Sequence, residues 1–162
     1  MGAPSYIVQM PGKVIFLYEG YSEGGGTGRP YSTYRAIPTD GRAHRKDADG
    51  TPYGDPVGHW EGNTLVIETT KFDDSTWFGS DGYFHSDAMR VLERLTRKGD
   101  TLEYNARVED PNVLTKPFDL YPNPLTLKQG AADDIPYNDD NPCNITDPAH
   151  DFRAHADHDN HL

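Results

Sequence analysis

Two stretches of the chain repeat one pattern, and that pattern points to antiparallel β-structure. HWEGNTLVIETT at 59–70 and ERLTRKGDTLEYNARVED at 93–110 each set Gly-Asn-Thr-Leu or Gly-Asp-Thr-Leu between two β-rich runs. Asn and Asp suit a tight corner that needs positive φ, so Asn63 and Asp100 are the expected corner residues of two hairpins. A third hairpin is expected in SYIVQMPGKVIFLYE at 5–19, where Pro11-Gly12 supplies the turn. In its second arm Val14, Phe16 and Tyr18 share one face and Ile15, Leu17 and Glu19 the other. Both faces are largely apolar, so this strand is central in its sheet or lies in a barrel covered on both sides.

The rest of the chain extends the pattern. Tyr31 to Ile37 has strand character and ends in the Pro38-Thr39-Asp40-Gly41 turn, after which Arg42 to Gly58 is polar, without periodicity, and expected at the surface. Ala88 to Leu95 contains helix formers, yet Val91, Glu93 and Leu95 alternate with Arg90, Leu92 and Arg94, which predicts a strand. Asp110-Pro111-Asn112 turns the chain, and Thr115 to Leu127 predicts one or two extended segments broken by prolines. GYSEGGGTGRP lacks the Lys-Ser/Thr that would follow a phosphate-cradling loop and is expected to be a flexible loop.

Seven or eight short strands, few helices and no βαβ spacing predict an all-β, antiparallel fold. A lipocalin-like or calycin-like barrel or a strongly curved sheet comes first, and a two-sheet sandwich second. Residues 1–128 are expected to form this domain, and 129–162 a polar tail rich in His and Asp.

Composition narrows the partners. The 15 Lys+Arg against 26 Asp+Glu give a formal charge of -11, which disfavours nucleic acid and anionic membrane surfaces. Cys143 is the single cysteine, so no intramolecular disulfide and no cysteine-based zinc site is expected. No apolar run of about 18 residues is present, and Met1 to Ser5 lack the features of a secretory signal. The chain reads as soluble and cytoplasmic as given, or as an exported form from which a signal peptide was removed. Its expected partners are a hydrophobic or aromatic small molecule and a second copy of the chain in a homodimer.

Chemistry is expected near Lys71 to Asp87, a long connection dense in aromatics: Phe72, Trp77, Phe78, Tyr83 and Phe84. His85 at its end offers an imidazole for acid/base work with Asp87 to orient it. Against this, Ser86 or Asp87 caps a turn and His85 bonds to backbone, the commoner arrangement. Glu68 and Glu93 sit in otherwise apolar strands, where a carboxylate facing a dry lumen would have a raised pKa. The weightier alternative is that both face solvent, or that Glu93 pairs with Arg35 or Arg94. Tyr18, Tyr31, Tyr34 and Tyr104, with Trp60 and Trp77, are candidates to line a ligand pocket, although core packing explains most of them equally well. His44 and His59 lack a third metal ligand, and His150, His155, His158 and His161 have no fixed metal geometry, so no metal site is expected. No nucleotide, flavin or haem motif is present, and no cofactor is expected.

The ordered segments IPTDGRAH, GHWEGNTLVIETT, TWFGSDGYFHSD, ERLTRKGDTLEY and EDPNVLTKPF resemble a widespread bacterial family of uncharacterised β-rich proteins. Its motifs are of the type IPTDGRxH, GxWEGDTLVV, HSD, DxxTLEY and EDPxxxTKPW, and the resemblance covers about residues 35 to 118. The matching positions are Asp40, Arg42, His44, His59, Trp60, Glu61, Trp77, His85, Asp87, Glu93, Arg94, Asp110, Lys116 and Pro117. The resemblance implies a common fold without a reaction. Family members usually carry an upstream export signal and a C-x-E-N-N-type ending; this chain has PCNITDPAHDFRAHADHDNHL instead of the latter. The function expected first is a cofactor-independent lyase, dehydratase, isomerase or cyclase, with His85, Asp87, Glu93 and Glu68 as its acid/base groups. A carrier for a hydrophobic ligand is the alternative, distinguished by whether titratable groups converge on one point in the cavity.

Overall fold

The computed structural model describes residues 4, 6–18, 33–77 and 82–126. All belong to one compact unit, Met1–Leu127. The Gly-rich loop, Tyr31, Phe78 and the tail lie outside the described residues.

Eight strands follow one another: β1 (Tyr6–Met10), β2 (Lys13–Tyr18), β3 (Thr33–Pro38), β4 (Asp55–Glu61), β5 (Thr64–Thr70), β6 (Arg90–Lys98), β7 (Thr101–Glu109) and β8 (Phe118–Thr126). Every neighbouring pair is antiparallel, in a three-stranded sheet of order β1-β2-β3 and a five-stranded sheet of order β4-β5-β6-β7-β8. Among the described residues there is no helix, and none is long and apolar enough to cross a membrane. β2 is the central strand of its sheet; its Val14 and Phe16 face is buried, while Leu17 on the other face is exposed. The polar stretch after Arg42 is irregular only to Gly54, because Asp55 to Gly58 already belong to β4.

The hairpin corners form at the expected places but with a different residue bearing the unusual backbone. Positive φ falls on Gly62 (58°) and Gly99 (60°), while Asn63 and Asp100 follow with ordinary negative φ. Glycine lacks the Cβ that penalises this region even in Asn and Asp, and a two-residue loop with positive φ at its first position alone has the pattern of a type II′ turn. β8 is a single strand despite Pro122 and Pro124. It is an edge, where a missing N–H need cost the sheet no ladder bond.

The expected closed barrel is not formed by the described residues. Hydrogen bonding stops between β3 and β4, and side chains make the contact there instead. Gly58 permits the close approach: a Cβ at this position would lie 3.0 Å from Ile37 Cγ2 and 3.2 Å from Thr39 Cγ2. Both sheets nevertheless supply one core, with Val14, Phe16 and Ile37 from the first and Leu65, Ile67, Val91, Leu95, Tyr104 and Val108 from the second. Arg35, Thr69 and Glu93 occupy the same inward rows and are buried with them.

Candidate functional site

The chain between β5 and β6 is pinned at one end by Phe72, which is buried and forms a parallel bridge with Thr51. Further along, Trp77 and Phe84 form an antiparallel bridge. Between this segment and the inner faces of β6 and β7 lies a cavity of about 220 Å³. Val91, Ala106 and Val108 supply its strand wall, Phe72 and Met89 close it from the connecting segment, and Leu120 adds an edge from β8. Tyr53 and Trp77 also line it; Trp77 is 65% exposed, which puts the mouth on that side. Its polar lining comes from Thr76, His85 and Tyr104, with the Tyr53 hydroxyl and the Trp77 indole N–H toward the mouth.

His85 is buried against Phe72, with ring centroids 6.1 Å apart in an edge-on arrangement. Nδ1 lies 3.1 Å from the Ser86 carbonyl and Nε2 lies 2.8 Å from Thr76 Oγ1. A carbonyl only accepts, so Nδ1 carries the proton of the neutral ring and Nε2 accepts from the Thr76 hydroxyl.

The backbone beneath His85 is held by Asp110. Its carboxylate accepts from Ser86 N at 2.7 Å, Ser86 Oγ at 2.8 Å and Asn112 N at 3.0 Å. Thus the His-Ser-Asp and Glu-Asp-Pro segments, 24 residues apart in sequence at Ser86 and Asp110, are joined in space. Burial alone would raise the Asp110 pKa, but the donors of Ser86 and Asn112 outweigh it and hold the carboxyl below its ordinary value. With a folded pKa under the unfolded one, this group stabilises the fold above its unfolded pKa of about 3.9, and that contribution is lost as pH falls through the folded value. Acid unfolding followed by near-ultraviolet circular dichroism checks this. Asp110→Asn is expected to lower stability at pH 7 by about 1–3 kcal/mol and to flatten the acid limb.

Behind the cavity wall runs a buried polar network. Tyr104 donates its hydroxyl proton to Glu93 Oε1 at 2.9 Å. Arg35 meets both oxygens of Glu93, at 3.1 Å and 2.7 Å, and also donates to the hydroxyls of Tyr18 at 3.1 Å and Thr69 at 3.0 Å. The guanidinium lies 5.9 Å from the centre of the Phe16 ring. Burial, and then the charge of Glu93, push the Tyr104 hydroxyl well above the ordinary tyrosine range. Burial likewise raises Tyr18, against the opposing charge of Arg35. Burial also opposes the charge of Arg35, but Glu93 overcomes it, so the guanidinium holds its proton more tightly than in water.

The expected acid/base groups therefore do not meet at one point. His85 lines the cavity, whereas Glu93 stands behind the wall with both oxygens engaged, in the Arg35 pairing that was one of its expected alternatives. Glu68 is on the opposite face of β5 from Ile67 and Thr69, and accepts from Arg90 at 2.8 Å. That bond holds its carboxyl below the ordinary range, the reverse of the shift a dry lumen would give. Asp87 is exposed, and the bonds described for the imidazole come from Thr76 and the Ser86 carbonyl.

Of the aromatic candidates, Tyr104 and Trp77 line the cavity and Tyr18 stands in the network behind it. Tyr34 (67% exposed) and Trp60 (45%) lie at the surface away from it, and Tyr31 is outside the described residues. His44 lies 3.4 Å from Asp55 and from Thr70 Oγ1 and 3.9 Å from Glu68, and His59 lies 3.2 Å from Glu61. Among the described residues no three His, Cys, Asp or Glu side chains are placed to hold a metal ion. Sequence reasoning missed Thr76, whose role depends on a fold-back of its own segment, and the holding role of Asp110.

Fold and site together define an all-β protein whose apolar cavity is backed by a buried ion pair. Comparison of the chain with family models, curated proteins and solved structures finds no match.

Proposed function

We propose that the protein binds a hydrophobic or aromatic small molecule in the cavity beside His85 and acts as a carrier or sensor of it. One observation carries this reading: the wall is mostly apolar, and the polar groups inside the mouth, Thr76, His85 and Tyr104, are bonded within the protein. Groups committed in this way orient a ligand more readily than they transfer protons. A dry apolar cavity of about 150 Å³ takes up benzene. The larger space here suits a single ring with substituents or a small fused pair.

A calycin-like curl of the two sheets belongs to the same proposal. It is supported by the shared core and by the approach of β3 to β4 at Gly58. Kinship with the bacterial family named above would extend the reading to its members. An acid/base enzyme is the second reading, favoured by the single fact that a buried histidine lines the cavity.

In a Trp60→Phe background Trp77 is the sole tryptophan and reports on the mouth. Titration with naphthalene is expected to change its emission with Kd of about 10–1000 µM. Ala106→Leu, which fills the cavity, is expected to weaken binding at least about tenfold while the fold is retained. Absence of binding, or binding indifferent to Ala106→Leu, overturns the proposal. Turnover of a bound compound that is abolished by His85→Gln would favour the enzyme.

A further inference from the structure

We infer that the cavity selects a neutral aromatic compound bearing one hydrogen-bond donor, of the phenol, indole or aryl amine class, with Thr76 Oγ1 as the acceptor. This rests on the binding reading above and adds the chemistry of the ligand to it.

The inference follows from where each hydrogen in the wall goes. The Ser86 carbonyl takes the proton on His85 Nδ1 at 3.1 Å. Nε2 of the neutral ring takes the hydroxyl hydrogen of Thr76 at 2.8 Å. The Tyr104 hydroxyl hydrogen goes to Glu93 at 2.9 Å, away from the cavity. Among the described residues the donors of His85, Thr76 and Tyr104 are thereby spent on the protein, and the other lining side chains that carry a donor, Tyr53 and Trp77, stand at the exposed mouth. A hydroxyl that donates once keeps two lone pairs, and Thr76 Oγ1, half-buried on the cavity lining, retains that capacity.

A ligand O–H or N–H directed at Thr76 replaces the hydrogen bond it made to water. A carbonyl directed at Thr76 meets lone pairs and loses its water, and among the described residues the side-chain donors left to it are those of Tyr53 and Trp77 at the mouth. A carboxylate fares worse. Among the described residues no Lys or Arg lines the cavity, and the buried Arg35 is already bound to both oxygens of Glu93. The hydrogen-bond direction imposed by the Ser86 carbonyl is thus relayed through the imidazole to Thr76, and fixes the polarity the ligand must have.

Isothermal titration calorimetry at pH 8 with naphthalene, 2-naphthol, 2-methoxynaphthalene, 2-naphthaldehyde and 2-naphthoate tests this on a single ring frame. 2-Naphthol is expected to bind about tenfold tighter than naphthalene and the aldehyde. Methylation of the hydroxyl should remove that advantage, and naphthoate should bind most weakly. Thr76→Val should remove the difference in affinity between 2-naphthol and naphthalene, whereas Thr76→Ser should keep the preference. Equal affinity for 2-naphthol and its methyl ether in the unaltered protein overturns the inference while leaving the cavity as a binding site, and that comparison needs no variant to fold. A 2-naphthol preference that survives Thr76→Val overturns the assignment to Thr76. If none of the five compounds binds, both the inference and the reading beneath it fail.

Discussion

Glu93→Ala is expected to lower the stability of the protein by about 3–5 kcal/mol, the largest loss foreseen for any one exchange of a charged residue here. Glu93 is 0% exposed and Arg35 is 2% exposed, so neither can turn to water when its partner is removed. The variant leaves a guanidinium without its carboxylate and the Tyr104 hydroxyl without its acceptor. Burial of an unpaired charge dominates the cost, with the orphaned hydroxyl adding about 1 kcal/mol or more. Urea unfolding of Glu93→Ala, Arg35→Met and the double variant Arg35→Met/Glu93→Leu separates these contributions. The double variant should recover much of the loss, because two apolar side chains carry no desolvation penalty. If the double variant is no more stable than Glu93→Ala, the unpaired charge is not the source of the loss.

Phe72→Ala is the second large effect, about 3–5 kcal/mol. Phe72 is 2% exposed, belongs to the core, packs on His85 and lines the cavity. Its removal costs the transfer free energy of the ring and leaves a void that the surrounding strands fill only in part. Because the void joins the existing cavity, the change should also alter ligand choice. Compounds larger than naphthalene should gain affinity relative to naphthalene itself. Thermal unfolding with and without naphthalene measures both consequences, and a variant that loses stability with no shift in ligand preference would place Phe72 in the core alone.

Much of the fold was legible because hairpins with two-residue loops carry their own register. A corner at Gly99-Asp100 places Lys98 opposite Thr101, and counting back from there places Leu95 opposite Tyr104, Glu93 opposite Ala106 and Val91 opposite Val108. The inward position of Glu93 could have been read from that count. Its partner was legible only as a choice between Arg35 and Arg94, since Arg35 comes from another sheet and no local pattern decides a contact across the core. The positions of the two glutamates were undecided for a related reason: β5 is apolar on both faces from Leu65 to Ile67, so alternation alone does not tell that Glu68 lies opposite Ile67 and Thr69 while Glu93 shares the buried row of Val91 and Leu95. At the corners Asn63 and Asp100 each follow a glycine, and glycine, the cheaper residue for positive φ, takes that conformation in both. Thr76 was hidden because its meeting with His85 depends on the path of an irregular segment, which periodicity does not describe.

The ion pair across the core also sets limits on how such a sequence can drift. Positions 35 and 93 lie on different sheets and are 58 residues apart, yet each is tolerable only while the other is present. A lineage that loses one charge passes through a poorly folded intermediate before the second change can relieve it. Related sequences should therefore keep both residues or have replaced both, so the two columns of an alignment should change together. The joint inheritance of Arg35 and Glu93 would then mark relatives that share this joining of the two sheets, including those whose cavity-lining residues have diverged.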